Sequence, residues 1–308
     1  MPTASVTVTC NICHADDYTV VFPAGVAQLN QVVRCNRCGL MYANPRKEAD
    51  HVALESAPDD PTVEFTDRNP QRYEKERVQV RDYESTRTLL RRLHPDRGRL
   101  LEVGSSLGYL LDSFRKDGWD VTGVDPDRYA CRHAARQVGI AAVNSTLEGA
   151  HLPEGSIDVV VMLHVIEHVP DPVGTLREIH RVLKPGGHLV METPRYDSLP
   201  FRILGRRERS VSCDGHIFFF TVDSLKRAYE LAGFELEHFE FPPRSLTLDR
   251  LGYNIGVMSK SQFIQGLIRS LTRHPLFHRV KLSMNVRDMQ RVCLQKPSGG
   301  AGRAAPVT

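Results

Sequence analysis

The sequence has no apolar run approaching the roughly 18 to 20 residues that a membrane-spanning helix needs. Its longest candidate, Ile157–Ile166, is strand-sized and carries Asp158 and His164. A charge excess is also missing: Lys and Arg number 40 against 37 Asp and Glu, a net of +3. That balance demands neither a nucleic-acid nor a membrane partner. The opening residues MPTASVTVTC hold no basic region and no apolar stretch of a secretory signal, so a cytoplasmic location is expected. No internal repeat is visible. Hydrophobic residues are 41% and charged residues 25%, which excludes disorder over the whole length and predicts a real core. In a cytoplasmic chain the seven cysteines are thiols or metal ligands, not a disulfide framework.

Four of those cysteines fall early and in pairs, Cys10-Asn-Ile-Cys13 and Cys35-Asn-Arg-Cys38. Two such knuckles supply four thiolates to a tetrahedron, the geometry zinc accepts without redox chemistry. Four sulfur ligands leave no open coordination position, so this zinc would be structural. His14 beside Cys13 is not needed as a ligand. Between the pairs a hairpin is expected, with strands at Tyr18–Phe22 and Leu29–Val33. Residues 1–46 read as a zinc ribbon. Residues 47–98 read as an acidic, proline-broken linker followed by a polar helix over Gln71–Leu93.

From Arg99 strands and helices alternate. Strands are expected at Leu100–Val103, Trp119–Val124, Ile140–Val143, Ile157–Leu163, His188–Glu192, Phe234–Phe241 and Met289–Gln295. Helices are expected at Tyr109–Asp117, Arg128–Val138, Asp171–Leu183 and Val222–Leu231, with Lys184-Pro-Gly-Gly as a break. This alternation predicts an α/β fold, a Rossmann-like seven-stranded doubly wound sheet over 99–296. A basic insert at 242–288 is expected to be helical and to act as a lid; 297–308 is expected to be a disordered tail.

The first strand runs into Gly104-Ser-Ser-Leu-Gly108, a turn where backbone can approach a ligand closely. Gly104-x-Ser106-x-Gly108 also fits a hydrolase nucleophile elbow, but an elbow normally follows several strands and this turn follows the first. Asp125 ends the next strand, about 20 residues on, where a ribose diol finds its acceptor.

The segments LEVGSSLGYLL, VTGVDPD, EGSIDVVVMLHVIEHVPDPVGTLREIHRVLKPGGHLVMETP, HIFFFT and LAGFE together resemble class I S-adenosylmethionine-dependent methyltransferases. The likeness is to the broad group that includes the ubiquinone-biosynthesis O-methyltransferases and many sugar and natural-product methyltransferases. CNICH…VRCNRCGLMYANPR is similar to the zinc-binding segment that many bacterial members carry. The resemblance implies S-adenosylmethionine as cofactor. Glu102 would orient the turn and the methionine amino group. Gly104, Ser105, Ser106, Gly108 and Tyr109 would form the turn around the methionine and ribose. Asp125 would accept the ribose hydroxyls, with Pro126 against the adenine. Thr146, Leu147 and Glu148 would meet the adenine edge, and Leu163 and His164 would line the junction with the acceptor. Ser106 stands where the family usually has its middle Gly.

At the reacting end, His164, Glu167 and His168 stand at i, i+3 and i+4. The resembled ubiquinone enzymes carry ExxEH here, with a divalent ion implied; His164 replaces the first Glu, which speaks against that ion. His216 is the first-ranked general base, ahead of His168. Between Pro242 and Asp288, eight Arg and Lys face only Asp249 and Asp288, and with Arg202, Arg206, Arg207 and Arg209 they suit an anionic acceptor. The expected partner is a small molecule or glycan, not nucleic acid, with no membrane span. Two alternatives stand beside this: an RNA methyltransferase gripping phosphates with ribbon and lid, and a non-catalytic binding module. Oligomeric state and the methylated atom are not legible.

Overall fold

The computed structural model describes residues 5–24, 31–46, 80–208, 211, 215–247 and 281–298. The chain opens with β1 (Tyr18–Phe22), β2 (Val32–Cys35) and β3 (Met41–Ala43), an antiparallel meander. A 3-10 turn at Val80–Tyr83 leads into α1 (Glu84–Leu93). The alternating region follows: β4 (Arg99–Val103), α2 (Tyr109–Lys116), β5 (Asp120–Asp125), α3 (Arg128–His133) and β6 (Ala142–Asn144). Then come β7 (Ile157–Leu163), α4 (Pro172–Val182) and β8 (Leu183–Pro194). The chain continues through α5 (Leu199–Leu204), β9 (Phe218–Phe219), α6 (Val222–Leu231), β10 (Glu235–Glu240), β11 (Arg244–Thr247), β12 (Lys281–Met284) and β13 (Met289–Gln295).

Seven strands form one sheet in the order β10-β13-β8-β7-β4-β5-β6. The five from β6 to β8 are parallel, and β13 runs antiparallel to both its neighbours. The near-continuous apolar run of β7 reflects cover on both faces, where Val159, Val160, Val161 and Met162 are fully buried. Helices start where the sequence supplies caps. Asp171 accepts the Gly174 amide ahead of Pro172 in α4, and Thr221 and Ser224 make a reciprocal capping box for α6.

Several boundaries differ from expectation. Lys184-Pro-Gly-Gly lies inside β8, because Leu183 already pairs with Ile157 and Lys184 Nζ holds both oxygens of Asp158 at 2.7 and 2.9 Å. The helix expected over Arg128–Val138 is α3 followed by a π turn at Ala134–Val138. The second hairpin strand is displaced to Val32–Cys35, which brings Cys35 into the ladder opposite Tyr18. The insert is not helical at its described ends: β11 and β12 form an antiparallel pair, Arg244 opposite Met284. The rest of that insert, most of the linker with the first part of its helix, and most of the tail lie outside the described residues.

The largest difference concerns residues 1–46. Their sheet has a fourth strand, β9, contributed from between β8 and α6. Cys10, Cys35, Cys38, Leu40 and Tyr42 share one core with Met162, Ile166, Leu176, Ile217 and Phe218. A segment this short buries too little apolar surface by itself, and it completes its core on the main sheet.

Candidate functional site

In the sheet β4 lies between β5 and β7, so the chain turns away on opposite sides of one crevice at the carboxyl ends of these strands. That switch point is where open α/β sheets bind ligands. The β4–α2 turn lines it with left-handed backbone at three alternate positions: Gly104 at φ 75°, Ser106 at 44° and Gly108 at 77°. A side chain at Gly104 would meet Val165 Cγ2 at 2.4 Å. Ser106, a non-glycine in that region, carries local strain. The Gly104 and Ser105 amides donate to the Val124 carbonyl at 2.8 and 3.2 Å, locking the turn to β5.

Asp125 is buried at the end of β5. One of its oxygens accepts the Ser106 amide and the other the Asp127 amide, each at 2.8 Å. A buried carboxylate held in place by main-chain amides is a fixed hydrogen-bond acceptor. Ser105 Oγ is buried with no hydrogen-bond partner among the described residues. It sits against Gly123, where a Cβ would come within 2.7 Å of it. Glu102 is buried one strand over, and Tyr109 OH contacts His133 Nε2 at 3.2 Å. The Pro126 carbonyl accepts Asn144 Nδ2 at 2.9 Å. Thr146 Oγ1 accepts the Gly149 amide, Leu147 is buried, and Glu148 Oε1 accepts Thr175 Oγ1 at 2.8 Å. A glycine turn with an orphaned hydroxyl and a carboxylate at the next strand fits the ribose and methionine ends of a nucleoside cofactor.

Across the crevice, the ends of β7 and β8 carry buried ionisable groups. His164, at φ 59°, stands between two carboxylates, Nδ1 at 3.7 Å from Glu167 Oε1 and Nε2 at 3.5 Å from Glu192 Oε1. Burial by itself would lower the His164 pKa, but the two carboxylates outweigh it and raise it. Burial would likewise raise Glu167, yet His164, His216 and His168 hold it down at about 2. Glu167 Oε2 accepts Thr193 Oγ1 at 2.9 Å, while Oε1 has no hydrogen-bond partner among the described residues. Glu192 is tied to Arg291 at 2.6 Å, and Arg291 reaches on to Glu240 and Ser85.

His216 is only 8% exposed; its Nδ1 meets Tyr196 OH at 3.1 Å and its Nε2 lies 4.0 Å from Glu167 Oε1. Its ring stacks edge-on against His168 at 4.6 Å. The His168 ring, half-buried, makes no hydrogen bond among the described residues. One donor atom each from Glu167, His168 and His216 lies within 4.8 Å of the others. The fold thus brings Glu167, His168 and His216 together from two segments and sets His164 apart as the residue clamped by carboxylates. Leu163 lies at the rim, half-buried. Sequence reasoning missed Thr193, Glu192, Arg291 and Tyr196. A Glu within the apolar strand HLVMETP and an Arg within MQRVCLQ were the available signals, since buried charges need partners.

Cys10, Cys13, Cys35 and Cys38 form the other cluster, with sulfurs within 4.8 Å of one another. The pairs Cys10–Cys38 and Cys13–Cys35 stand at 3.3 and 3.4 Å, far beyond the ~2.05 Å of a disulfide. The two knuckles match: the Cys10 carbonyl accepts the His14 amide and the Cys35 carbonyl accepts the Gly39 amide. His14 and Gly39 are both left-handed. Within the hydrogen-bonded pair, the Cys38 thiol lowers the Cys10 pKa while Cys38 itself is raised. This donor set fits a tetrahedral zinc ion.

Comparison with known proteins agrees with this geometry. Residues 71–239, more than half of the chain, match the family described as a methyltransferase domain. The chain is 37% identical over 101 residues to the ubiquinone biosynthesis O-methyltransferase of Pectobacterium carotovorum subsp. carotovorum (strain PC1), covering 31% of this chain and 42% of that protein. To the enzyme of the same name from Alkalilimnicola ehrlichii it is 36% identical over 115 residues, 35% of this chain and 47% of that one. The chain thus spans less than half the length of these curated relatives. Among solved structures, a possible histamine N-methyltransferase from Thermotoga maritima superposes with a TM-score of 0.50 at 20% identity, covering 75% of this chain and 98% of that one. Among the described residues no helix is long and apolar enough to cross a membrane. With the family match spanning the turn, Asp125 and the Glu167–His168 pair, the chain belongs to the methyltransferase-domain family.

Proposed function

We propose that the protein is a class I S-adenosylmethionine-dependent methyltransferase acting on an oxygen of a small-molecule or glycan acceptor. The observation that carries this is the switch-point turn of Gly104, Ser106 and Gly108 beside the buried Asp125, in a chain of this family. The two relatives named above are O-methyltransferases by name, which supports oxygen as the accepting atom. The catalytic domain is taken as 99–296, with 1–46 as its zinc-bound partner.

Bound cofactor supplies a methyl group activated on a sulfonium. Asp125 accepts the ribose hydroxyls, its carboxylate set in place by the Ser106 and Asp127 amides, and Ser105 Oγ turns to the cofactor for its missing hydrogen bond. Pro126, Thr146, Leu147 and Glu148 border the adenine. Much of the rate comes from holding the acceptor within about 3 to 3.5 Å of the methyl and in line. His168 takes the acceptor proton. What supports His168 over His216 is engagement: His216 already meets Tyr196 and faces Glu167, whereas the half-buried His168 ring has no hydrogen bond among the described residues. Glu167, ionised and buried, stabilises the imidazolium that forms.

A second reading rests on the same donors. Glu167, His168 and His216 are one carboxylate and two imidazoles, a set that suits zinc, manganese or iron(II) better than magnesium. An ion there would act as a Lewis acid toward the acceptor oxygen.

Titration calorimetry with S-adenosylmethionine should give saturable binding; its absence would sink the methyltransferase reading. A tritiated-methyl screen over sugars, phenols and RNA then identifies the acceptor, and label in RNA alone would overturn its class. With the acceptor known, His168→Ala should lower the single-turnover rate by about 10²–10⁴ while keeping cofactor affinity.

A further inference from the structure

The four-cysteine segment is joined to the acceptor side of the crevice by three separate sets of contacts. The first is a ladder. β3 pairs with β9, Met41 opposite Phe219 and Tyr42 opposite Phe218, and the Ala43 amide donates to the Ile217 carbonyl at 2.9 Å. On its other side the same segment donates the Ile217 and Phe218 amides to the Glu167 carbonyl at 2.9 and 3.1 Å. The backbone of the ribbon, the segment that starts at His216 and the backbone of Glu167 are therefore one hydrogen-bonded stack.

The second set grips the loop after β7. Arg46 donates to the Pro170 carbonyl at 3.0 Å, and its guanidinium lies 5.5 Å from the centre of the Phe218 ring. Asn11, inside the first cysteine knuckle, reaches the same carbonyl at 3.4 Å. The third is packing: Cys10, Cys35, Cys38 and Tyr42 are buried in one core with Ile166, Ile217 and Phe218. Glu167, His168 and His216 sit on the two segments that the ribbon holds, 165–171 and 215–220. The cofactor turn is fastened differently, through Val124 and Asp125 of β5.

We propose that the metal bound by Cys10, Cys13, Cys35 and Cys38 positions the acceptor half of the site: it sets the placement of Glu167, His168 and His216, and its loss loosens that half ahead of the cofactor half. The physical reason is size. Three short strands cannot hold their own register without a cross-link, and the register of β3 is what β9 reads. Arg46 is the positioning residue on the protein side of this coupling. The inference rests on the methyltransferase reading only for the word acceptor; the mechanical coupling stands on the contacts alone.

The test uses the full chain as purified. Zinc is counted, then removed with a strong chelator, and backbone hydrogen exchange and histidine ring NMR signals are followed in both states. On metal release the amides of Ala43, Ile217 and Phe218 should exchange about tenfold faster or more, while those of Gly104, Ser105 and Ser106 change by less than about threefold. The ring signals of His168 and His216 should move, and that of His133, beside Tyr109 in the cofactor half, should not. Because release could unfold the chain outright, Arg46→Ala is measured with its metal in place. It should keep its zinc and still speed exchange at Ile217 and Phe218, and Arg46→Lys should restore part of the protection. Equal loosening of both halves in Arg46→Ala, unchanged exchange in either experiment, or a chain that carries no metal on its four thiols would overturn the proposal. Failure of the methyltransferase reading would show separately, as no binding of S-adenosylmethionine to the metal-loaded protein.

Discussion

Around the cofactor turn, the groups that fix the shape belong mostly to the main chain: the Gly104 and Ser105 amides on the Val124 carbonyl, the Ser106 and Asp127 amides on Asp125. Around Glu167 the fixing groups are side chains with charge: the nearby His164 and, linked through it, Glu192, Arg291 and Glu240 from distant parts of the sequence. The first arrangement is local and needs small residues at set positions. The second is non-local and needs each ion to find its partner after folding, because a buried charge without one is expensive. The difference suits the division of labour. A cofactor half that recognises one molecule can be built from backbone. On the proposed function, the acceptor half is built from side chains, which can be exchanged while the sheet beneath them is kept.

Substitutions can break this contrast, and the largest effect belongs to the side-chain half. Arg291→Met leaves Glu192 buried without its cation and should cost about 3–5 kcal/mol in chemical denaturation. The double variant Arg291→Met with Glu192→Leu should recover most of it; if it does not, the loss is packing and not charge. On the main-chain half, Asp125→Ala removes two amide acceptors and the proposed ribose contact. Each charged hydrogen bond is worth about 1.5–3 kcal/mol, so cofactor affinity and turn stability should fall together in calorimetry and melting. Loss of affinity with unchanged stability would mean that Ser106 and Asp127 do not depend on it.

Smaller effects sharpen the same contrast. Ser106→Gly relieves a left-handed non-glycine and should stabilise the fold by about 1 kcal/mol, with cofactor binding kept. A histidine pair at the far end of the sheet supplies the last comparison. His94 Nε2 and His188 Nδ1 meet at 2.9 Å, and burial lowers both pKa values. The folded chain therefore resists protons that the unfolded chain takes up near its ordinary value of about 6.5, so stability rises with pH through that window and is lost as pH falls below it. The melting temperature should drop between about pH 7.5 and 5.5, and drop less in His94→Asn with His188→Asn. This runs opposite to His164, whose carboxylate neighbours favour its charged form.

How much of this was legible in the sequence follows the same division. The succession of strands along the chain, the turn at Gly104, the place of Asp125 at a strand end and the paired cysteines were all readable, because each is set by residues close in the chain. β9 was not. Its two residues, Phe218 and Phe219, have no strand length of their own and become a strand only by pairing with Tyr42 and Met41. The roles of the histidines were blurred for a related reason. The spacing of His164, Glu167 and His168 implied one shared face, yet His164 turns between Glu167 and Glu192, and His216 takes its place beside His168. The insert expected to be helical begins and ends as strands, because Arg244 and Met284 are brought opposite each other at the mouth between β10 and β13.

The sequence by itself determined the alternating fold, the Gly104–Gly108 turn and the two cysteine knuckles, since local spacing and backbone freedom are enough to specify them. Only the tertiary structure decided that the four-cysteine segment packs against the segments carrying Glu167 and His216, that the His216 ring lies edge-on to His168, and that Glu192 pairs with Arg291. Those outcomes depend on contacts between residues 26 to 206 positions apart, and local spacing does not encode such pairings before the sheet has brought them together.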